Sequence, residues 1–224
     1  GENTAVGYQA LLSNTTGDDN VAIGVNALRD NTTSVGNIGI GRDALLKNTT
    51  GNYNSAVGNV ALDANTTGDH NCAFGQTALG SNTTADNNTA LGSNALADNT
   101  TGYSNTAVGK AALISNTTAA DNTALGNVAM QGNTEGFQNT ALGSHALYTN
   151  TTGDNNVAVG YGALYHQTTA NNNTACGRDC LNENTTGTQN VAVGAYTLDQ
   201  NTTASNNTGV GYNCLGAMST GYNA

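Results

Sequence analysis

The sequence predicts an all-β fold, a parallel β-solenoid (β-roll) of thirteen coils with 17 residues in each coil. Three observations predict it: a tandem repeat that runs without a gap from Asn3 to Asn223, apolar residues at fixed repeat positions, and a composition rich in Asn, Thr and Gly. Repetition at a fixed period is typical of architectures in which each unit packs only on its neighbours. Asn, Thr and Gly are poor helix formers. We therefore expect residues 1–224 to form a single repeat domain.

Charge and hydropathy exclude several classes of partner. The 224 residues carry a net charge of −10 with only five basic side chains, which argues against binding to nucleic acid or to an anionic membrane surface. No apolar run approaches the ~20 residues that a membrane-spanning helix needs. The chain begins without Met, at the sixteenth position of a repeat, so we expect it to be part of a longer protein.

The repeat separates constant positions from variable ones. Numbered from its first Asn, every unit has Asn at position 1 and Gly at position 5, and nearly every unit has Ala at position 8 and Leu at position 9. Positions 12 to 14 read Asn-Thr-Thr with few departures, whereas positions 6, 7, 10, 11, 16 and 17 vary and carry nearly all the charge. The constant positions are expected to form the interior and the corners of each coil.

Positions 1 to 5 predict one strand in each coil. Alternate residues of a strand face opposite sides, so we expect the bulkier residues at positions 2 and 4 to point into a thin core. The small residues at positions 3 and 5 would then lie on the other face and allow another backbone to approach closely. The segment around positions 8 and 9 is either a second strand or a single helical turn.

Stacked coils place equivalent residues above one another at about 4.8 Å, the spacing of strands in a sheet. Identical amides at that spacing can form a hydrogen-bonded ladder, and both Asn and Gly tolerate the left-handed conformation that tight corners require. We expect structural columns that begin with Asn3, Asn20, Asn37 and Asn54, with Gly7, Gly24 and Gly41, and with Leu11, Leu28 and Leu45.

The recurring segments NTAVG, NVAIG and NTALG resemble the head repeats of trimeric autotransporter adhesins (the YadA-like head) and related repeats of bacterial and phage tail-fibre-like proteins. The resemblance covers the whole chain and implies a left-handed parallel β-roll in which three chains associate side by side. This unit departs from the adhesin-head unit, which is usually shorter and lacks the added Asn-Thr-Thr corner.

Residues suited to catalysis or metal binding are few and scattered. His70, His145 and His166 fall at three different repeat positions and cannot form one column. Acidic residues at position 16, such as Asp69 and Asp154, could ligate Ca²⁺, but they occur in only some units, which is typical of a solvated turn. We therefore expect no enzyme activity, no cofactor and no metal site.

The Asn-Thr-Thr corner supports two hypotheses besides hydrogen bonding within the corner itself. Exposed Thr hydroxyls could order ice, although adjacent residues of a strand face opposite sides, so at most one Thr in each coil would contribute. The corner also contains N-x-T sequons, which accept N-linked glycans in secreted proteins. The candidate Asn residues are Asn14, Asn31, Asn48, Asn65, Asn82, Asn99, Asn116, Asn150, Asn184 and Asn201.

The four cysteines replace small or apolar residues of the repeat, so we expect them to be buried free thiols. They are Cys72, Cys176, Cys180 and Cys214. Cys176 and Cys180 belong to one coil and could face each other across its core.

These observations together predict a non-enzymatic extracellular structural protein that forms the shaft or head of an adhesive surface fibre. Its expected partners are two further copies of itself in a side-by-side trimer, and a host or surface receptor. Two alternatives remain open. The chain could be the subunit of a filament that polymerises end to end, or it could be an ice-binding solenoid.

Overall fold

The computed structural model describes residues 1–216. The chain divides into two compact units, Gly1–Ala111 and Ala112–Ala224. Every repeat contributes one strand of three residues, and no helix occurs within residues 1–216. The irregular positions Met218 and Ser219 of the last repeat lie outside the described residues.

The first unit contains seven strands and the second contains six. In the first unit they are β1 (Thr4–Val6), β2 (Val21–Ile23), β3 (Ile38–Ile40), β4 (Ser55–Val57), β5 (Cys72–Phe74), β6 (Thr89–Leu91) and β7 (Thr106–Val108). In the second unit they are β8 (Thr123–Leu125), β9 (Thr140–Leu142), β10 (Val157–Val159), β11 (Thr174–Cys176), β12 (Val191–Val193) and β13 (Thr208–Val210).

Within each unit the strands pair in chain order, in parallel, and with a register of one repeat. Ala5 pairs with Ala22 in the first unit, and Ala141 pairs with Ala158 in the second. Equivalent residues of consecutive coils therefore lie directly above one another, which confirms the predicted parallel β-solenoid.

The strands face the opposite way from the prediction. The Ala at position 3 points inward and is fully buried from Ala22 onward, whereas the larger residue at position 4 points outward, and Phe74 remains 53% exposed. The coil is too thin for a larger inward residue. A Cβ at Gly39, a position-3 glycine, would lie 3.2 Å from Cγ of Leu28 in the preceding coil, so only a methyl group fits.

Positions 6 to 11 form a chain of turns, which is neither of the two structures left open by the sequence. Position 9 adopts a left-handed conformation in each described coil, with φ of 50° at Leu28 and 52° at Leu45. Its backbone nonetheless bonds the next coil, since the Leu28 N–H donates to the carbonyl of Ala44 at 3.0 Å. Left-handed backbone costs an ordinary residue roughly 1–2 kcal/mol. Full burial of a Leu side chain stabilises by about 1.5–3 kcal/mol, which offsets that cost and explains why Leu occupies the position.

Position 5 requires glycine for a different reason. Gly41 has a φ of 130°, and a Cβ added there would lie 2.4 Å from the carbonyl oxygen of Gly58 in the next coil. The backbone that leaves no room for a side chain at position 5 therefore belongs to the adjacent coil of the same chain.

Gly39, within β3, and Gly41, directly after it, provide a matched test of this packing. We expect Gly41→Ala to destabilise the protein by at least about 3 kcal/mol, because it adds a backbone clash to a strained conformation. Gly39→Ala creates the residue found at this position in neighbouring coils, and we expect a change of no more than about 1 kcal/mol. Urea unfolding followed by circular dichroism measures both, and equal effects of the two variants would contradict the packing described.

A residue swap at position 7 tests the cost of left-handed backbone. Val60 and Asn94 occupy equivalent positions and both have a φ of 59°. Asn tolerates this conformation far better than a β-branched residue. We expect Val60→Asn to raise the thermal midpoint by roughly 2–4 °C, the change that about 1 kcal/mol produces in a chain of this size. Asn94→Val should lower it by a similar amount, and a midpoint unchanged in both variants would refute the strain argument.

Candidate functional site

The position-1 asparagines lie in a column that joins side chains to backbone. The N–H of Asn20 donates to Oδ1 of Asn3 at 2.9 Å, and the N–H of Asn37 donates to Oδ1 of Asn20 at the same distance. Nδ2 of Asn20 donates to the carbonyl of Ser34 at 2.9 Å. Each amide thus binds the following coil and closes the corner of its own coil. The N–H of Asn54 continues the column by donating to Oδ1 of Asn37.

The position-12 asparagines form a second column, in which side-chain amides bond one another. Nδ2 of Asn31 donates to Oδ1 of Asn14 at 2.9 Å, and Nδ2 of Asn65 donates to Oδ1 of Asn48 at 2.8 Å. Nδ2 of Asn65 also donates to a position-15 carbonyl, that of Gly68, at 3.0 Å. In this corner, hydrogen bonding is the role that the structure assigns to the conserved amides.

This arrangement removes most of the predicted glycan acceptors. An N-linked sugar is carried on Nδ2, which in these residues donates within the corner or to a neighbouring coil. Asn14 is only partly buried. The other nine candidates are buried to at least 99%, so the folded corner leaves no room for a sugar; they are Asn31, Asn48, Asn65, Asn82, Asn99, Asn116, Asn150, Asn184 and Asn201.

The two threonines of the corner differ in role. At position 13 the hydroxyl of Thr32 donates to the carbonyl of Thr49 at 3.0 Å, and Thr49 bonds Thr66 in the same way. At position 14 the side chains, such as those of Thr33 and Thr50, are exposed. Each such corner therefore presents a single outward Thr.

Position 16 forms a third column, which the sequence reasoning missed. The N–H of Asn52 donates to Oδ1 of Asp69 at 2.6 Å, and the N–H of Asp69 donates to Oδ1 of Asp86 at 2.8 Å. The second unit repeats this bond from Phe137 to Asp154. Asp18 accepts backbone N–H bonds from Glu2 and Asp19, which lower the pKa of its carboxyl group.

These carboxylates act as acceptors for backbone amides, a task that Asn or Ser performs equally well. The N–H of Thr188 donates to the hydroxyl of Ser205 at 2.9 Å, at the same repeat position. Among residues 1–216, no group of three or more His, Cys, Asp or Glu side chains is placed to hold a metal ion.

The histidines lie at two places. His70 stacks on Tyr53 with ring centroids 5.2 Å apart. His145 and His166 both contact Tyr165, at centroid distances of 6.0 and 4.7 Å. The structure therefore brings two of the three histidines to one tyrosine, although they occupy different repeat positions.

The expectation of buried cysteines is confirmed only for Cys180, since Cys214 is partly buried and the other two are exposed. All four are free thiols, but Cys72 and Cys176 are exposed because they lie at the outward positions 2 and 4. Cys180 is buried, its Sγ donates to the carbonyl of Ala192 at 3.2 Å, and burial raises the pKa of its thiol to about 12. Cys176 and Cys180 thus do not face each other across the core.

The most unusual surface is the outer face of the strands, made of positions 2 and 4 and called here the sheet face. No charged residue occurs at either position in any of the thirteen repeats. Aliphatic side chains along it are open to solvent, including Val6 at 59% and Leu91 at 46% in the first unit, and Leu125 at 49% in the second. Parallel sheets are normally covered on both faces, and monomeric proteins rarely expose large apolar patches. The sheet face is therefore the candidate functional site.

No protein-family model matches the chain, and no curated protein matches it either. Within residues 1–216, no helix is long and apolar enough to cross a membrane.

Cysteine labelling tests the placement of the core. The thiolate is the reactive form, so a thiol with a pKa near 12 has on the order of one ten-thousandth of its population reactive at pH 8. We expect iodoacetamide at pH 8 to leave Cys180 unmodified in the folded protein and to modify all four cysteines in guanidinium chloride, as measured by peptide mass spectrometry. Modification of Cys180 at the same rate in both conditions would contradict its burial.

Proposed function

We propose that this β-solenoid is a structural protein of an extracellular fibre, the shaft or head of a surface adhesin, and that copies associate side by side through the sheet face. The uncharged, exposed outer face of the strands is the observation that carries the proposal. The extracellular location and the number of copies, three, are supported by the resemblance of the repeat to adhesin heads.

The size of the sheet face supports association between copies. Two side chains from each strand, exposing on the order of 60 Å² each, would let the seven strands of the first unit bury roughly 800 Å² of each copy, an area that a trimer divides between two neighbours. Burial of apolar surface contributes about 25 cal/mol for each Å². An interface of this kind stabilises the assembly without requiring ion pairs.

The side chains along the sheet face suit an assembly in which the copies point in the same direction and equivalent coils lie side by side. When copies are related by rotation about an axis along the stack, position 2 of one chain meets position 4 of its neighbour in the same coil. The largest side chain at position 4, Phe74, would then meet the small side chain of Cys72 from a neighbouring copy. In the next coil, Leu91 would meet Thr89.

The variable positions are where receptor contacts would lie, since they carry the charge and the aromatic side chains while the constant positions maintain the fold. The two alternatives remain predictions with distinct signatures. An end-to-end filament would grow without a fixed mass, and an ice-binding solenoid would present the exposed Thr hydroxyls of its corners to water as a monomer.

Charge introduced into the sheet face tests the proposal. We expect the purified protein to have a mass in solution of three times the 22.5 kDa chain by light scattering. Leu91→Asp places a carboxylate in the apolar interface, whose desolvation is costly, so this variant should be monomeric with an unchanged circular dichroism spectrum. Ser93→Asp, in the same coil but outside the sheet face, should remain trimeric.

Alkylation of Cys72 provides a second readout. We expect this thiol to be protected in the assembled protein and reactive in the Leu91→Asp variant. A monomeric wild-type protein at tens of micromolar would overturn lateral assembly. Polymers of indefinite mass would favour the filament, and thermal hysteresis by a monomer would favour ice binding.

A further inference from the structure

One part of the variable surface differs from the rest of the chain. Positions 6, 7, 10 and 11 hold no aromatic residue from the second to the eighth repeat. In the last five repeats the same positions hold a ring cluster, defined as His145, Tyr148, Tyr161, Tyr165, His166, Tyr196 and Tyr212. All of it lies in the second unit and away from the sheet face, so the inference below does not depend on the assembly proposed above.

The rings are held in fixed positions by one another and by Arg178. Tyr148 and Tyr165 stack with centroids 4.9 Å apart. The guanidinium group of Arg178 lies 5.9 Å from the ring centroid of Tyr161 and 5.7 Å from that of Tyr196, and Tyr212 packs edge-on against Tyr196 at 5.9 Å. Tyr196 is thus a rigid, amphipathic surface that loses little conformational entropy when a ligand binds.

A cleft of about 170 Å³ opens beside Tyr196. It is smaller than the ~300–1,000 Å³ of sites for drug-sized ligands, so it suits a single small ring or the end of a longer chain. Its remaining walls are three carboxylates and two amides, from Asp179, Asn182, Glu183, Asp199 and Gln200.

Basic side chains lie beside two of the three carboxylates of the cleft. Arg178 donates to Asp179 at 3.0 Å, and Nε2 of His166 lies 3.8 Å from Glu183. Oδ1 of Asp199 is buried and has no hydrogen-bond partner, which is uncommon in native proteins. Because Oδ1 is enclosed, a ligand hydroxyl in the cleft would donate to the other oxygen of Asp199, Oδ2.

The chemistry of the walls selects the class of ligand. Carboxylates only accept hydrogen bonds, whereas the two amides both donate and accept. Anionic ligands are disfavoured by the three carboxylates, and a purely apolar ligand would leave the polar walls unpaired. Neighbouring hydroxyl groups both donate and accept, and a sugar ring also carries C–H groups that contact an aromatic side chain.

We propose that this cleft and the adjacent ring cluster bind a neutral saccharide, with one sugar ring in the cleft against Tyr196 and the following sugars along the ring cluster. Asp199 and Glu183 accept hydrogen bonds from vicinal hydroxyls, and Asn182 and Gln200 donate to the ligand oxygens.

The test uses the full chain and a panel of neutral tetrasaccharides built from glucose, galactose, mannose or N-acetylglucosamine, with saturation-transfer NMR as the measurement. We expect at least one tetrasaccharide to bind with a Kd of roughly 1 mM or below. Tyr196→Ala and Asp199→Asn should each weaken binding about tenfold, from loss of a central aromatic contact or of a charged acceptor. Tyr8→Ala removes an exposed ring of the first unit and should leave binding unchanged.

A cation, N-acetyl-lysine amide, whose ammonium group only donates hydrogen bonds, is the competing probe. Binding of this cation with no binding of any tetrasaccharide would overturn the proposal in favour of an acidic cation site. The proposal also fails if no probe binds, or if Tyr196→Ala binds the sugar as well as the wild-type protein while both retain the same circular dichroism spectrum.

Discussion

The register of one repeat between neighbouring coils is the constraint on which the rest of this structure depends. In a parallel pair, backbone amides of one strand bond the strand beside it, so any residue that displaces a coil disturbs both its neighbours. The close approach of Gly41 to the backbone of Gly58 shows how little tolerance there is. Constant glycines, buried methyl groups and short corners all follow from that one spacing.

The columns at positions 1 and 16 both stabilise this register, and their hydrogen bonds run in opposite directions along the stack. At position 1 a side-chain oxygen accepts from the following coil, as Asn3 does from Asn20. At position 16 it accepts from the preceding coil, as Asp69 does from Asn52. These side-chain oxygens accept hydrogen bonds from backbone N–H groups that the strands leave unpaired, on both sides of the corner. A buried N–H group without a partner would cost about 1–3 kcal/mol. A thin coil with a small apolar core keeps its corners ordered by these bonds.

The period, the strands and the solenoid could be predicted from the sequence because each depends on a pattern that the residues themselves display. The inward face could not, because alternation shows which residues share a face and leaves open which face is covered. That choice is decided by Leu28 and its equivalents, whose left-handed backbone brings a large side chain beneath position 3. Helix and strand propensities contain no signal for a leucine in that conformation. The position-16 column was missed because Asp, Asn and Ser differ in identity while sharing an acceptor oxygen.

The same geometry explains why the sheet face is a candidate interface. A coil that can bury only a methyl group at position 3 has no room for Val, Leu or Phe, so the β-branched and aliphatic residues that favour strands lie on the outside. Selection for solubility alone would place charged or polar residues at such exposed positions, as it does at the variable ones. Residues such as Leu91 and Phe74 instead remain apolar beside variable neighbours that are polar or charged. The apolar residue at position 4 of every repeat, on a face without charge, is the basis of the proposed association, because another copy of the same chain presents a face of matching period.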